Sequence, residues 1–516
     1  MSMVGEVVVE TAAGRVRGEV AGGATRFLGV PFAAPPAGER RFRAPAPVAP
    51  WTGVRDATAP GPSCLQRLSG GSAWIYENDG DPDEDCLYLN VWTPGRDGAR
   101  PVLVWLHGGA FRTGHGALPC FDGTRLARDG DLVVVTCNYR LGALGWLAHP
   151  DLRDPDTGHW ANWGLQDQLA ALRWVRENIA AFGGDPGNVT LVGESAGAMS
   201  LAHLARHPAN RGLLHRLLAE SPARRVGDAG SPDLAAAYAE AVAAELGVAV
   251  RDLRAVPAWA LYEAEQAVSR RPAWPPRLAG ATPVREDDLV PIVGSPPADL
   301  PLLAGSNRDE SRFWHTLANA AGEQLPGAPL PAGDADLNAA VADFLAGIYP
   351  DATALDPAAL ADAYRAAMPA ASAAERFLDV RTDGTFRAPV AAWAADHAAR
   401  DGAAFVYEFA HPSPLPGVGC PHTLEIPFVF GTFDQPFMAP KTGAGPAEER
   451  LSAAMRAIWA AFAHAGDPST AAHGAWPRYD AARRAVGVLG SPEGILQVVE
   501  APREATRAAW EPAVGG

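Results

Sequence analysis

From Pro101 onward, unbroken apolar runs alternate with stretches of helical periodicity. VLVWLH (Val102–His107) and DLVVVTCNYR (Asp131–Arg140) lack polar alternation, so each predicts a strand covered on both faces of a sheet. Leu165, Leu169, Leu172, Val175 and Ile179 recur at spacings of three and four. That period predicts an amphipathic helix, which the Gly183-Gly184 pair ends. NVTLVGES (188–195) predicts another buried strand, and AGAMSLAHLARH (196–207) continues at once as a helix. The first hundred or so residues are rich in Gly and Pro with short β-type runs such as GEVVVET, the pattern of hairpins and loops.

Strand, helix, strand, helix in this order predicts an α/β fold with a mostly parallel sheet and helices on both faces. The Ala-rich stretch from about 232 to 400 predicts mainly helices, forming a subdomain or cap, with one strand candidate inside it, DLPLLAG (299–305). AAFVYEFA (403–410) predicts a further strand and Glu449–Ala465 a further helix. No internal repeat or Ser/Gly linker divides the chain, so residues 1–516 are expected to form one α/β unit.

Composition narrows the function. The 516 residues are 48% hydrophobic and 20% charged, a globular balance. Lys and Arg number 43 against 59 Asp and Glu, a net charge of −16. A nucleic-acid partner needs a basic face, and an anionic membrane surface needs the same, so neither is expected. No apolar run reaches the roughly 18 residues of a membrane span. The N-terminus lacks a basic patch followed by an apolar stretch, so the expected location is cytoplasmic. Five cysteines (Cys64, Cys86, Cys120, Cys137, Cys420) are too few for a disulfide scaffold and fit no zinc spacing.

Gly193-Glu194-Ser195-Ala196-Gly197 fits G-x-S-x-G between a predicted strand and a predicted helix. Such a turn strains the serine and lifts its hydroxyl off the sheet edge, while the flanking glycines let the backbone reverse. His107-Gly108-Gly109-Ala110-Phe111 directly follows a buried strand, and small residues there let backbone N–H groups approach an oxyanion. A serine hydroxyl needs a base and a carboxylate that orients it. His422 lies in a polar turn before an apolar run, whereas His411 ends a strand and His397 lies within a helical stretch. Asp309 and Glu310 both follow the strand candidate DLPLLAG, at the end where α/β sites form, and either could be the acid.

Several long blocks resemble the type-B carboxylesterase family, the cholinesterase-like group of α/β-hydrolases. They are Phe27–Pro45, Glu84–Pro94 (EDCLYLNVWTP), Val104–Phe111, Asn162–Ala198, Gly305–Ser311 (GSNRDES) and His422–Gly431. The resemblance implies an α/β-hydrolase fold and a serine esterase with Ser195 as nucleophile, Glu310 as acid and His422 as base. It implies oxyanion donors on Gly109, Ala110 and Ala196, with Gly108 shaping the loop. Ala110 stands where the family often has glycine, Ser311 follows the acid in place of glycine, and Pro222 replaces a glycine beside Ser221. Glu194, Ser221 and Glu425 are implied as supporting polar groups. Trp74, Phe111, Phe313 and Trp314 are the implied walls of an aromatic-lined gorge. Cys64 and Cys86 match the family's loop disulfide, which would contribute roughly 3 kcal/mol in the chain-entropy model if formed; in a cytoplasmic protein the two thiols are expected to stay reduced. Arg41 and Glu84 resemble a family ion pair, of little consequence if it lies in solvent. The implied chemistry uses no metal and no cofactor, and its partner is a small-molecule ester. Two alternatives share the fold: a catalytically silent binding protein, and an amidase or carbamate hydrolase with the same triad.

Overall fold

The computed structural model describes residues 6–68, 72–77, 80–223, 229–271, 281–286, 290, 296–315, 330–349 and 354–514. Parts of the predicted helical stretch and of the loop between Cys64 and Cys86 lie outside these residues.

Thirteen strands form one sheet among the described residues. The first hairpins supply β1 (Glu6–Thr11), β2 (Gly14–Ala21), β3 (Ala24–Pro31), β4 (Val54–Asp56) and β5 (Tyr88–Thr93). β6 (Arg100–Leu106), β7 (Val133–Cys137), β8 (Gly184–Glu194), β9 (Arg216–Glu220), β10 (Leu302–Asn307) and β11 (Ala404–Phe409) follow. β12 (Ala485–Ser491) and β13 (Gly494–Glu500) complete it. The spatial order is β1-β2-β3-β5-β7-β6-β8-β9-β10-β11-β12-β13, with β4 beside β2. From β7 to β12 every neighbouring pair is parallel, and antiparallel strands border that run on both sides.

Alternation along β6 explains its unbroken apolar run. Val102, Val104 and Leu106 enter a core on one face, and Leu103 and Trp105 enter a second core on the other. The helix Trp163–Asn178 packs into the first core, and a short 3-10 turn extends it to Phe182 before Gly183 stops it at φ +84°. A Cβ on Gly183 would meet the Gly95 carbonyl at 2.4 Å, so no other residue fits there. β6 pairs with β7 on one side and β8 on the other, although both follow it in sequence. That reversal of strand order opens a crevice at the carboxyl ends of β6 and β8.

Four readings gain detail from the structure. The run 131–140 is a strand only over Val133–Cys137, because Arg140 turns inward to a bidentate pair with Asp167 (2.7 and 2.8 Å). Within 232–400 the strand candidate is β10 (Leu302–Asn307), which carries the chain through the middle of the sheet. Helices Pro232–Glu245 and Ala258–Ser269 pack on the main core; Asp334–Ile348, Pro357–Ala367 and Ala373–Thr382 share a separate core with Trp510 of the C-terminal helix. Cys64 and Cys86 are buried neighbours but free thiols. The Cys64 side chain and burial hold the Cys86 thiol well above its usual range. Arg41 and Glu84 are not a solvated pair: the guanidinium is 5% exposed, grips the carboxylate through two bonds (2.7 and 2.6 Å) and donates to the Leu253 carbonyl. Burial with two hydrogen bonds makes this a structural clamp between the N-terminal loop and the 253–256 segment.

Candidate active site

β8 ends at Glu194, and the helix Ala196–Arg206 begins one residue later, so Ser195 must make the whole reversal. Its backbone sits at φ 52°, ψ −118°, a conformation that costs about 1–3 kcal/mol and persists only where the surroundings enforce it. Three contacts enforce it here. Ser195 N–H donates to the Glu220 carbonyl at 2.9 Å, a Cβ on Gly193 would meet the Gly197 carbonyl carbon at 2.5 Å, and one on Gly197 would meet the Leu106 carbonyl at 2.0 Å. Helix, β8 and the end of β6 touch backbone to backbone. The Ser195 hydroxyl does not cap its own helix.

The loop after β6 is fixed by His107. Its ring stacks on Tyr139 (4.3 Å between centroids), Nδ1 lies 2.8 Å from the Gly108 carbonyl, and Tyr139 OH donates to the His107 carbonyl. Burial pushes His107 down to about 3, so the ring is neutral and Nδ1–H donates to Gly108. Gly109 lies at φ +103° and Ala110 at φ +53°. The N–H groups of Gly109, Ala110 and Ala196 meet no backbone carbonyl among the described residues. Positive φ explains why glycine suits position 110, where alanine pays about 1 kcal/mol of strain. Gly108 has a separate reason to lack a side chain: a Cβ there would lie 2.1 Å from Glu194 Oε2.

His422 and Glu310 meet through Nδ1 and Oε2 at 2.6 Å, both buried. The other oxygen, Glu310 Oε1, accepts from Ser221 Oγ (2.6 Å) and from Asn307 N–H (2.7 Å). Asp309 faces away: Oδ2 accepts from Cys420 N–H at 2.9 Å, and Oδ1 lies 3.6 Å from Arg312. Geometry thus separates the two carboxylates that the sequence left equal. Ser221, at φ 49°, contacts the acid rather than the imidazole. Glu425 is buried behind it and accepts from the Asn307 side chain.

Nε2 of His422 lies 2.9 Å from Glu194 Oε1. The approach is bent, and that oxygen accepts no hydrogen bond among the described residues. No hydrogen bond between Nε2 and Ser195 Oγ is present among them either. Burial alone would push the imidazole down, but Glu194 and Glu310 outweigh it and hold His422 well above its usual range. Burial in turn raises Glu194, against the opposing pull of His422.

Sequence reasoning missed three neighbours. Glu220 pairs in register with Glu194 across β8 and β9, accepts from Trp459 Nε1 at 2.7 Å, and burial pushes it up to about 8. The signal was a carboxylate closing the apolar run RLLAE. Asn307 sits within GSNRDES but carries no chemistry that spacing reveals. Phe386, in a π-helical turn Asp383–Arg387, lies 4.9 Å from the His422 ring, and nothing local in the sequence marks it. Of the expected walls, Phe313 (5.6 Å) and Trp314 (5.2 Å) stand against His422. Phe111 instead packs on Trp146 at 4.3 Å, and the Trp74 carbonyl accepts from Lys441. Among the described residues no cluster of His, Cys, Asp and Glu could hold a metal ion, and no helix is long and apolar enough to cross a membrane.

The carboxylesterase family profile matches residues 5–506. The para-nitrobenzyl esterase of Bacillus subtilis (strain 168) is 35% identical over 94% of this chain and 95% of its own length. The phenmedipham hydrolase of Pseudarthrobacter oxydans is 36% identical over 95% of this chain and 96% of its own. Among solved structures, a PNB esterase superposes with a TM-score of 0.79 at 33% identity, covering 97% of this chain and 99% of the other. A Geobacillus stearothermophilus carboxylesterase superposes with a TM-score of 0.77 at 34% identity, covering 98% and 99%.

Proposed function

The chain belongs to the carboxylesterase family and is a carboxylic ester hydrolase, and from that premise we propose that Ser195, His422 and Glu310 carry out its chemistry on small-molecule esters. His422 takes the Ser195 proton as the hydroxyl attacks the ester carbonyl. The N–H groups of Gly109, Ala110 and Ala196 hold the oxyanion, each donor of this kind lowering the barrier by about 2.7–4 kcal/mol. His422 then returns the proton to the leaving alcohol, and water repeats the cycle on the acyl-enzyme. Glu310 fixes the tautomer, so that Nδ1 keeps its proton and Nε2 exchanges one.

The observation that carries this reading is the 2.6 Å contact between His422 Nδ1 and Glu310 Oε2. It commits one ring nitrogen and leaves the other for proton transfer, at the sheet end where the strained turn holds Ser195. Phe313, Trp314 and Phe386 around the imidazole favour an apolar or aromatic group on the substrate. The relative named para-nitrobenzyl esterase makes p-nitrobenzyl esters a rational first choice. The test is a panel of p-nitrophenyl esters from acetate to palmitate beside the matching anilides, for the native chain and Ser195→Ala. Ester turnover that vanishes in Ser195→Ala supports the proposal; undiminished turnover in that variant refutes it, and equal turnover of anilides would make the enzyme an amidase.

A further inference from the structure

The N–H groups of Gly109 and Ala110 take their direction from the carbonyls of the same peptides, because in a trans peptide N–H points opposite to C=O. The Gly108 carbonyl is turned toward His107 Nδ1 (2.8 Å), which aims Gly109 N–H the other way. The Gly109 carbonyl accepts from the N–H groups of Arg112 (2.9 Å) and Thr113 (3.0 Å), which does the same for Ala110 N–H. The backbone between them is unfavourable. Gly109, Ala110 and Phe111 lie in succession at φ +103°, +53° and +59°, and two of the three carry a Cβ. Such a run keeps its shape only where its surroundings enforce it.

Arg112 closes that run, and its side chain is held from outside the loop. Nη1 donates to Glu265 Oε1 at 2.5 Å. Glu265 belongs to the helix Ala258–Ser269, and its side chain is 1% exposed. Oε1 also accepts from Tyr238 OH (2.9 Å) and Oε2 from Gln266 Nε2 (2.9 Å), so the carboxylate is fixed on both oxygens. The same helix reaches the far end of the loop. Tyr262 OH accepts from Arg67 N–H (3.2 Å), and the adjacent Gln66 exchanges two hydrogen bonds with Gly114 (2.6 and 2.9 Å). Arg112 and Glu265 both lie outside the sequence blocks that carry the family resemblance, so those blocks do not account for the pair.

We propose that Glu265 is a positioning residue for ester hydrolysis: its ion pair with Arg112 holds the turn that aims Ala110 N–H at the oxyanion. The proposal rests on the oxyanion role given above to Gly109 and Ala110. Because Glu265 acts through Arg112, its loss falls on the tetrahedral state and leaves ester binding in place.

Kinetics with p-nitrophenyl acetate and inhibition by a trifluoromethyl ketone test it on the full chain. Ser195 Oγ adds to the ketone carbon, its proton passes to His422 and the ketone oxygen becomes the oxyanion, so the adduct draws on the same donors as catalysis. Glu265→Gln keeps the shape and removes the charge. It should lower kcat about tenfold with KM within about twofold, and weaken the ketone by the same factor. Arg112→Met should do likewise, and the double variant should be no worse than either single one, because both changes remove one contact. Unchanged kcat, a fall in kcat that ketone affinity does not follow, a loss in KM alone, or losses that multiply in the double variant would each overturn the proposal and leave the esterase reading intact. A native chain that hydrolyses the ester but forms no ketone adduct would remove the oxyanion reading and this proposal with it. Should Glu265→Gln fail to fold, Arg112→Met, whose side chain is 24% exposed, decides alone: a joint fall in kcat and ketone affinity supports the brace, and unchanged values remove it.

Discussion

Glu194 Oε1 sits 2.9 Å from His422 Nε2 without accepting a hydrogen bond from it. The carboxylate immediately before the nucleophile therefore acts on the base mainly by charge. Together with Glu310 it favours the imidazolium, the form that arises during acyl transfer, and it makes the neutral base harder to reach at low pH.

A first prediction follows from that sign. The acidic limb of kcat/KM should inflect above the ordinary histidine value of 6.5, because two carboxylates hold the proton on His422. Glu194→Gln removes one of them and should move the limb to lower pH. A pH–rate profile of both proteins checks this, and a limb that stays in place would remove Glu194 from control of the base.

The loop after β6 gives a pair of opposite expectations. Gly108→Ala places a methyl 2.1 Å from Glu194 Oε2 and should lower kcat about a hundredfold by displacing that carboxylate and the loop together. Ala110→Gly relieves a residue at φ +53° and keeps the N–H, so it should raise stability by up to about 1 kcal/mol with activity retained. Kinetics and thermal melts of the two variants, run side by side, distinguish the two kinds of glycine requirement.

Glu408 should govern part of the acid stability. Burial alone would raise its carboxyl, but Arg503, Arg387 and Arg308 bring it down from 4.5 to about 2. A carboxylate depressed on folding adds stability that is complete above the unfolded value and is lost as the pH falls through the folded one. The window here runs from about 4.5 down to about 2, and the contribution is about 3 kcal/mol at pH 7. The gap in Tm between the native chain and Glu408→Gln should be wide at pH 7 and narrower at pH 3.5; a constant gap would contradict the assignment.

Free thiols are expected at all five cysteines. Titration of the denatured chain without reductant should count five, and reductant should leave Tm unchanged. A count of three, together with a Tm that falls on reduction, would mean that Cys64 and Cys86 had joined.

Much of this was legible in the chain, for a physical reason. Strands buried on both faces leave unbroken apolar runs, so β6, β7, β8 and β11 announced themselves, and the turn at Ser195 was marked by glycines whose added methyls would strike backbone. Partners set by tertiary approach were not legible. Glu310 and Asp309 are adjacent in sequence, and only the return of the 420–422 segment separates them: Cys420 takes Asp309 and His422 takes Glu310. The same reason hid Phe386, which reaches His422 from a helical stretch with no local mark of chemistry. Whether Arg41 and Glu84 meet in solvent was not legible either, because the 253–256 segment that covers the guanidinium is distant in sequence.

The central claim is that the hydroxyl at the strained β8 turn is the nucleophile and depends on His422. Treatment of the folded chain with a fluorophosphonate, followed by peptide mass mapping, tests it most directly. The account predicts one adduct per chain, on Ser195, absent in Ser195→Ala and slowed at least a thousandfold in His422→Ala. Labelling at another residue, or labelling of Ser195 at full rate without His422, would contradict it.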